Sequence, residues 1–199
     1  MTPRREAASN ASLLGYPVAL KAVGPAIVHK TESRGVVLNL RTDEDVRGVC
    51  RDLMGRFGSG LTHVLVQPMV KGGVEMLVGA AVDPSLGHVV VCGSGGTLTE
   101  LVRDSVCRLH PLADLDAVAM LDEMRGIALL RGFRGAPPAD ESALREVLLR
   151  VSALIDACPE IREMDVNPLM VLASGVCAVD VRIRVGTPPA RPMSRRVSY

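Results

Sequence analysis

Short apolar runs separated by polar loops dominate the first 70 residues of the chain. Residues 18–20 and 36–40 are apolar runs of strand length on either side of a polar loop, and a third run covers residues 63–70. Between the second and third runs, apolar residues recur at helical spacing up to Phe57, behind a plausible N-cap at Thr42. This order of strand, loop, strand, helix and strand predicts a layered α/β unit.

A glycine break at residues 71–73 interrupts this pattern, and we place a subdomain boundary there. Downstream, residues 74–82 and 88–92 predict a strand pair, residues 114–130 and 140–157 predict two helices, and residues 164–172 and 176–185 predict a final hairpin. We therefore expect a mixed α/β (α+β) protein. It would have a poorly ordered start at 1–13, a first subdomain at 14–70, a second at 71–186 and a tail at 187–199.

The composition limits the classes of function. With 48% hydrophobic and 23% charged residues, the 199-residue chain is typical of a folded protein. A net charge of +1 and 2% aromatic residues give no basis for binding nucleic acid. Five scattered cysteines argue against a disulfide framework or a zinc site and favour the cytoplasm. The first residues lack the apolar segment of a secretory signal, and no apolar run is long enough to span a bilayer, so we expect no membrane partner.

Lys21 ends the first apolar run and leads into a loop that contains Gly24, His29 and Lys30. A lysine at a strand end, beside the free N–H groups of a loop, is one way to hold phosphate groups. The alternative is an exposed lysine with no ligand. This loop is therefore the first candidate for nucleotide chemistry.

Three oxygen-bearing side chains converge in the predicted C-terminal hairpin. With a two-residue turn at 174–175, Asn167 would pair with Arg182. Asp180 would then lie diagonally across, on the face that carries Asp165 and Asn167. Two carboxylates and an amide oxygen are suitable ligands for Mg²⁺. A three-residue turn without a bulge would put Asp180 on the other face, and a solvated hairpin face is the alternative to a metal site.

Four groups of residues along the chain together form a recognisable pattern. They are Glu163-Met-Asp165-Val-Asn167-Pro168-Leu169 with Ala178-Val-Asp180, Lys21 with His29-Lys30, Gly93-Ser-Gly-Gly96 with Glu100 and Asp104, and Arg131-Gly-Phe-Arg-Gly-Ala-Pro-Pro138. In this order they resemble the ATP-grasp domain of NDP-forming acyl-CoA synthetases, which is a nucleotide-binding domain or β subunit distantly similar to that of succinyl-CoA synthetase. The resemblance runs from about Leu14 to Val185.

The resemblance implies an ATP-grasp fold that binds ATP or ADP with Mg²⁺ between two subdomains. It also implies a role for each matching residue. Lys21 would contact the phosphates, Gln67 to Val70 would hold adenine, Glu75 would take the ribose hydroxyls, Asn167 and Asp180 would bind magnesium, and Asp165 would lie against a phosphohistidine.

His29 matches the histidine that relays the phosphoryl group. Imidazole is nucleophilic near neutral pH when a neighbour fixes its tautomer, although a loop histidine with a structural role is the alternative. The resemblance implies that His29 takes phosphate from a histidine of a CoA-binding partner and passes it to the nucleotide. We therefore predict the ATP-binding subunit or domain of an acid–CoA ligase that interconverts acyl-CoA, ADP and phosphate with acid, CoA and ATP.

The match to the family pattern is incomplete at the N-terminus. The family normally has a further helix and strand before the run that begins at Tyr16, so we expect a truncated first subdomain with an open edge. The CoA-binding and ligase modules are not found in this sequence, which makes a CoA-binding partner necessary. The alternatives are a nucleotide-binding regulatory module, like the ATP-grasp region joined to an acetyltransferase in some bacterial protein acylases, or a truncated inactive remnant.

Overall fold

The computed structural model describes residues 3–25, 27, 34–96 and 104–187, and for residues 3 and 4 it describes the backbone only. By its contacts the chain divides into two units, Met1–Lys71 and Gly72–Tyr199. This division falls within the glycine break at residues 71–73, next to the boundary expected after residue 70.

Unit 1 contains an antiparallel sheet of three described strands, in the order β2-β1-β3, and two helices. Its elements are α1 (Pro3–Leu14), β1 (Val18–Val23), β2 (Val36–Leu40), α2 (Asp43–Phe57) and β3 (His63–Pro68). Alternate residues of β1, namely Val18, Leu20 and Ala22, pack in one core with the apolar faces of the helices. The helix α2 begins at a capping box, in which the side chains of Thr42 and Asp45 each accept a hydrogen bond from the other's backbone N–H.

Helix α1 lies in the segment that was expected to be poorly ordered. Ala7, Ala8 and Ala11 share one face of this helix and are at most 6% exposed, in the core that they form with α2. Alanine has the highest helix propensity, and its short side chain lets two helices approach closely. The hydrophobic pattern did not predict this helix because alanine carries little apolar surface, so its helical spacing contributes weakly to such a pattern.

Unit 2 contains a larger antiparallel sheet with helices on one face. Its described strands run in the order β6-β5-β4-β7-β8, and β9 also pairs with β7. The strands are β4 (Val74–Asp83), β5 (Gly87–Ser94), β6 (Ser105–Leu109), β7 (Ile161–Val171), β8 (Val176–Ala178) and β9 (Val181–Val185). The helices are α3 (Asp114–Glu123), α4 (Ile127–Leu130) and α5 (Glu141–Ala157). Leu121, Leu144 and Leu148 of the helices are fully buried against Val78 and Val90 of the sheet.

The helix predicted over residues 114–130 is two helices, α3 and α4. Between them, the side chain of Asp104 accepts hydrogen bonds from the backbone N–H groups of Arg125, at 3.0 Å, and Gly126, at 2.7 Å. Asp104 is only 7% exposed, so it holds this turn from inside the fold. The helix is interrupted because its backbone donors bind a distant carboxylate, which no local pattern reveals.

Among the described residues, no helix is both long enough and apolar enough to cross a membrane. The five cysteines all lie in the described part of the chain, and none of them forms a disulfide. Burial raises the pKa of the Cys92 thiol to about 12, so it acts as a small apolar residue of the core.

Candidate functional site

Asn167 and Asp180 face each other directly across the C-terminal hairpin. The Asn167 N–H donates to the carbonyl oxygen of Asp180 at 3.1 Å, and Asp165 pairs with Arg182. The predicted pairing of Asn167 with Arg182 was therefore wrong by two residues. The reason is the turn, where the Leu172 N–H donates to the carbonyl oxygen of Gly175, so residues 173–174 form the bend. A shift of two residues preserves the face, and the three oxygen-bearing side chains converge as predicted.

The charges of this cluster act on one another. Burial raises the pKa of Asp165 above its ordinary value of 3.8, and the neighbouring carboxylates of Asp180 and Glu163 raise it further. The guanidinium of Arg182 acts in the opposite direction. Two carboxylates close enough to repel each other form a site that a cation would stabilise.

We expect Asp165→Asn to stabilise the protein without ligand at pH 7. Because the pKa of Asp165 is raised in the folded state, the folded protein holds this proton more tightly, and stability falls as pH rises from the ordinary pKa through the raised one. Asparagine does not ionise, so the substitution removes this loss of stability, which we expect to be below about 1 kcal/mol at this partly exposed position. Urea unfolding at pH 7 and pH 3 measures it. The gain should vanish at pH 3, where Asp165 is itself neutral, and an equal effect at both pH values would contradict the assignment.

The glycine-rich segment 93–96 is hydrogen-bonded to this cluster. The Gly96 N–H donates to Asn167 Oδ1 at 2.9 Å, and the Gly95 N–H donates to the carbonyl oxygen of Glu75 at 2.8 Å. A Cβ at Gly95 would lie 2.4 Å from backbone atoms of Met76, and one at Gly96 would lie 1.5 Å from Glu75 Oε2. Gly95 is therefore needed for close approach to the backbone of β4, and Gly96 is favoured by its positive φ of 61°. The sequence identified the segment, but its bond to Asn167 spans 71 residues and follows only from the fold.

Glu75 is exposed at the rim of an open depression of about 440 Å³ in unit 2. Ser94, Leu129, Phe133 and Ala136 also line this depression. Through its contact with Gly96, Glu75 adjoins the cluster of Asp165, Asn167 and Asp180. Four of the predicted site residues are thus brought together in unit 2.

The other predicted nucleotide contacts lie in unit 1. Lys21 is inside β1, opposite Leu65, and is 4% exposed, so the alternative of an exposed lysine does not hold. Gln67 pairs with Ala19 and therefore lies diagonally from Lys21 on the same face of the sheet. This face is opposite to the one that packs on the helices. Val70 follows β3 and is half-buried, as is Gln67.

His29 and Lys30 lie outside the described residues. Another histidine, His110, has a triad-like setting, because its Nδ1 contacts Ser152 Oγ at 3.0 Å and its Nε2 contacts Asp156 Oδ1 at 3.0 Å. Ser152 is 4% exposed and its hydroxyl accepts from the Leu112 N–H, so it is not available as a nucleophile. The hydrogen bonds of His110 with Ser152 and Asp156 thus connect the end of β6 to the helix α5.

The donor atoms of the cluster fit a hard cation. In the described part of the chain there is no group of three or more histidine, cysteine, aspartate or glutamate side chains that could hold a metal ion. The cluster at the hairpin has two carboxylates and one amide, a set that suits Mg²⁺ when phosphate oxygens supply further ligands. Asn167 Oδ1 keeps a second lone pair beyond its bond to Gly96.

Comparison with known proteins gives a consistent result. The ATP-grasp domain family matches residues 1–185. The chain is 40% identical to acetate–CoA ligase (ADP-forming) I of Archaeoglobus fulgidus, covering 91% of this chain and 27% of that protein. It is 36% identical to the β subunit of acetate–CoA ligase (ADP-forming) II of Pyrococcus furiosus, covering 90% of this chain and 79% of that subunit. The chain thus spans about a quarter of the first relative and about four fifths of the second.

Solved structures of similar proteins show that the similarity extends from the sequence to the fold. Acetyl-coenzyme A synthetase 1 of Ca. Korarchaeum cryptofilum, in complex with coenzyme A and Ca-AMPCP, superposes with a TM-score of 0.85 at 37% identity, covering 92% of this chain and 82% of that chain. A second structure of that enzyme, with Mg-AMPPCP and its phosphohistidine segment pointing towards the nucleotide binding site, gives a TM-score of 0.79 at 38% identity, covering 91% of this chain and 82% of that one. The predicted fold and family are confirmed, and the chain belongs to the ATP-grasp domain family, in the group that includes β subunits of ADP-forming acetate–CoA ligases.

Proposed function

We propose that this chain is the nucleotide-binding component of an ADP-forming acyl-CoA synthetase and transfers a phosphoryl group between a histidine and ADP. The observation that carries the proposal is the cluster of Asp165, Asn167 and Asp180, joined to the glycine-rich segment through Gly96. A cluster of carboxylate and amide oxygens is suited to a magnesium ion that is shared with the phosphate oxygens of a nucleotide.

Asn167 and Asp180 would hold the magnesium ion, with Asp165 beside them. A bound Mg²⁺ neutralises charge on phosphate oxygens, which is the main requirement of phosphoryl transfer. The raised pKa of Asp165 supports this assignment, because the cluster concentrates negative charge that a cation would offset.

The remaining contacts would orient the nucleotide. Lys21 would bind the phosphates as a point charge, Gln67 and Val70 would contact adenine, and Glu75 would accept hydrogen bonds from the ribose hydroxyls. Lys21 is buried, which restricts the positions that its ammonium group can take. This restriction supports a role in positioning the phosphates. In this arrangement, the protein contributes position and charge to the reaction rather than new covalent chemistry.

His29 would carry the phosphoryl group. In the synthesis of ATP, the P–N bond of phosphohistidine breaks, a β-phosphate oxygen of ADP forms the new P–O bond, and the imidazole regains a proton. The acyl-CoA chemistry would take place on a CoA-binding partner. Such a partner is consistent with relatives that are β subunits, and five cysteines without a disulfide are consistent with a cytoplasmic complex.

Phosphoryl transfer onto His29 tests the proposal. We expect the full chain with [γ-³²P]ATP and Mg²⁺ to acquire an acid-labile, base-stable label, the signature of phosphohistidine. His29→Ala should abolish the label, and His63→Ala, which changes an exposed histidine of β3, should retain it. Nucleotide binding by calorimetry without any label, even with the CoA-binding partner added, would instead support the regulatory alternative. Absence of both would support an inactive remnant.

A further inference from the structure

The loop Gly132–Ala136 in unit 2 has an unusual backbone. Gly132, Arg134 and Gly135 all have positive φ, at 97°, 51° and 83°. Glycine accepts this conformation readily, but arginine does so only against steric resistance. A glycine at position 134 would relieve that strain, so the backbone alone gives no reason for an arginine there. Backbone strain of this kind is often found at residues whose side chains bind a ligand.

The loop is fixed at both ends. Arg131 donates from Nε and Nη2 to the two carboxylate oxygens of Glu141, each at 2.9 Å, and also pairs with Asp122. The Ala139 N–H donates to the carbonyl oxygen of Leu130 at 2.8 Å, which closes the loop. A loop fastened in this way presents its tip in one defined position.

Phe133 and Arg134 form the tip. Phe133 is 49% exposed, and the Arg134 guanidinium lies 5.2 Å from the centre of its ring. No carboxylate in the described part of the chain pairs with Arg134, whereas Arg131 is compensated by two. An arginine stacked on an aromatic ring keeps its edge donors available for a planar or tetrahedral anion.

The tip adjoins the candidate nucleotide site of unit 2. Phe133 and Leu129, which is 39% exposed, line the same depression as Glu75. Glu75 in turn contacts Gly96, which binds Asn167. Exposed apolar side chains therefore line this depression, and the unpaired guanidinium of Arg134 lies next to one of them, Phe133.

We propose that Phe133 and Arg134 form the docking surface for the phosphohistidine segment of the CoA-binding partner. Arg134 binds the phosphoryl oxygens, and Phe133 and Leu129 contact apolar residues that flank the histidine. The proposal rests on the proposed function, because it requires a partner that delivers phosphate as phosphohistidine. A dianionic phosphoryl group complements the unpaired guanidinium at this tip.

Binding of a phosphohistidine mimic to the full chain tests this surface. The probe is a fluorescent peptide with phosphoryltriazolylalanine between apolar residues, compared with the same peptide carrying histidine. We expect Arg134→Gly to weaken binding of the phosphorylated peptide about tenfold or more and to leave the histidine peptide unchanged. Arg134→Gly relieves backbone strain, so it should fold at least as well as the wild type. Arg134→Lys, which keeps the charge but loses the fork of donors, should give an intermediate loss.

Arg150→Ala is the matched control, since Arg150 is an exposed arginine paired with Glu146 on the helix α5. Equal binding of the phosphorylated peptide by Arg134→Gly and Arg150→Ala would overturn the proposal, as would a wild-type protein that does not distinguish the two peptides. A loss of ADP binding in Arg134→Gly, with peptide binding retained, would also overturn it and would assign Arg134 to the nucleotide. If wild-type protein binds Mg-ADP and labels His29 but fails the peptide test, the proposed function stands and only this surface is wrong.

Discussion

Asp180→Asn is expected to slow magnesium-dependent phosphorylation of His29 by on the order of 100-fold. Asp180 lies opposite Asn167 and close enough to Asp165 to raise its pKa, so it belongs to the charged centre of the cluster. The amide keeps the shape of the side chain but removes the charge that would offset a divalent cation. The rate of label incorporation from [γ-³²P]ATP measures the effect.

The folded structure should survive this substitution. Asp180→Asn removes repulsion with Asp165, so the thermal midpoint of unit 2 should be unchanged or higher. Asp156→Asn is the matched control, because it makes the same change at an exposed carboxylate that pairs with His110. Equal rates in the two variants would contradict a role for Asp180 in holding the metal ion.

Gly95→Ala is expected to destabilise unit 2 by about 3 kcal/mol. The new Cβ would lie 2.4 Å from backbone carbonyl atoms of Met76, and β4 cannot move aside because it pairs with both β5 and β7. At Gly96 the first collision of a Cβ is with the end of the Glu75 side chain, which can rotate, so the cost of Gly96→Ala comes mainly from its positive φ of 61°. Urea unfolding followed by circular dichroism measures the difference.

Gly55→Ala is the control for this prediction. Gly55 lies inside the helix α2, and nothing is within 4 Å of a Cβ built there. Because glycine is unfavourable in a helix interior, we expect this substitution to stabilise unit 1 by about 0.5–1 kcal/mol. A Gly95→Ala protein as stable as the wild type would show that the glycine-rich segment does not rest on β4 as described.

The sequence predicted the outline of the fold because most elements carry a strong local pattern. The helix α2 has its capping residues and apolar spacing close together in the sequence, and β4 and β5 contain apolar runs of strand length. The helix α1 was missed because its buried face consists of alanines. The break between α3 and α4 was missed because Asp104 lies more than 20 residues away from the N–H groups that it binds.

The candidate site was predictable in part, for a similar reason. The face shared by Asp165, Asn167 and Asp180 follows from the two-residue repeat of a strand, which survived a register that was wrong by two residues. The bond from Gly96 to Asn167 and the strained position of Arg134 depend on the folded backbone. No spacing in the sequence contains that information.

The claim that Asn167 and Asp180 hold magnesium in a nucleotide-binding chain is tested most directly by calorimetric titration of ADP, with Mg²⁺ and with EDTA, into the wild type and Asp180→Asn. We expect Mg²⁺ to tighten binding of ADP to the wild type by about tenfold or more, and to have little effect on the variant. An equal effect of Mg²⁺ on both proteins would contradict the claim.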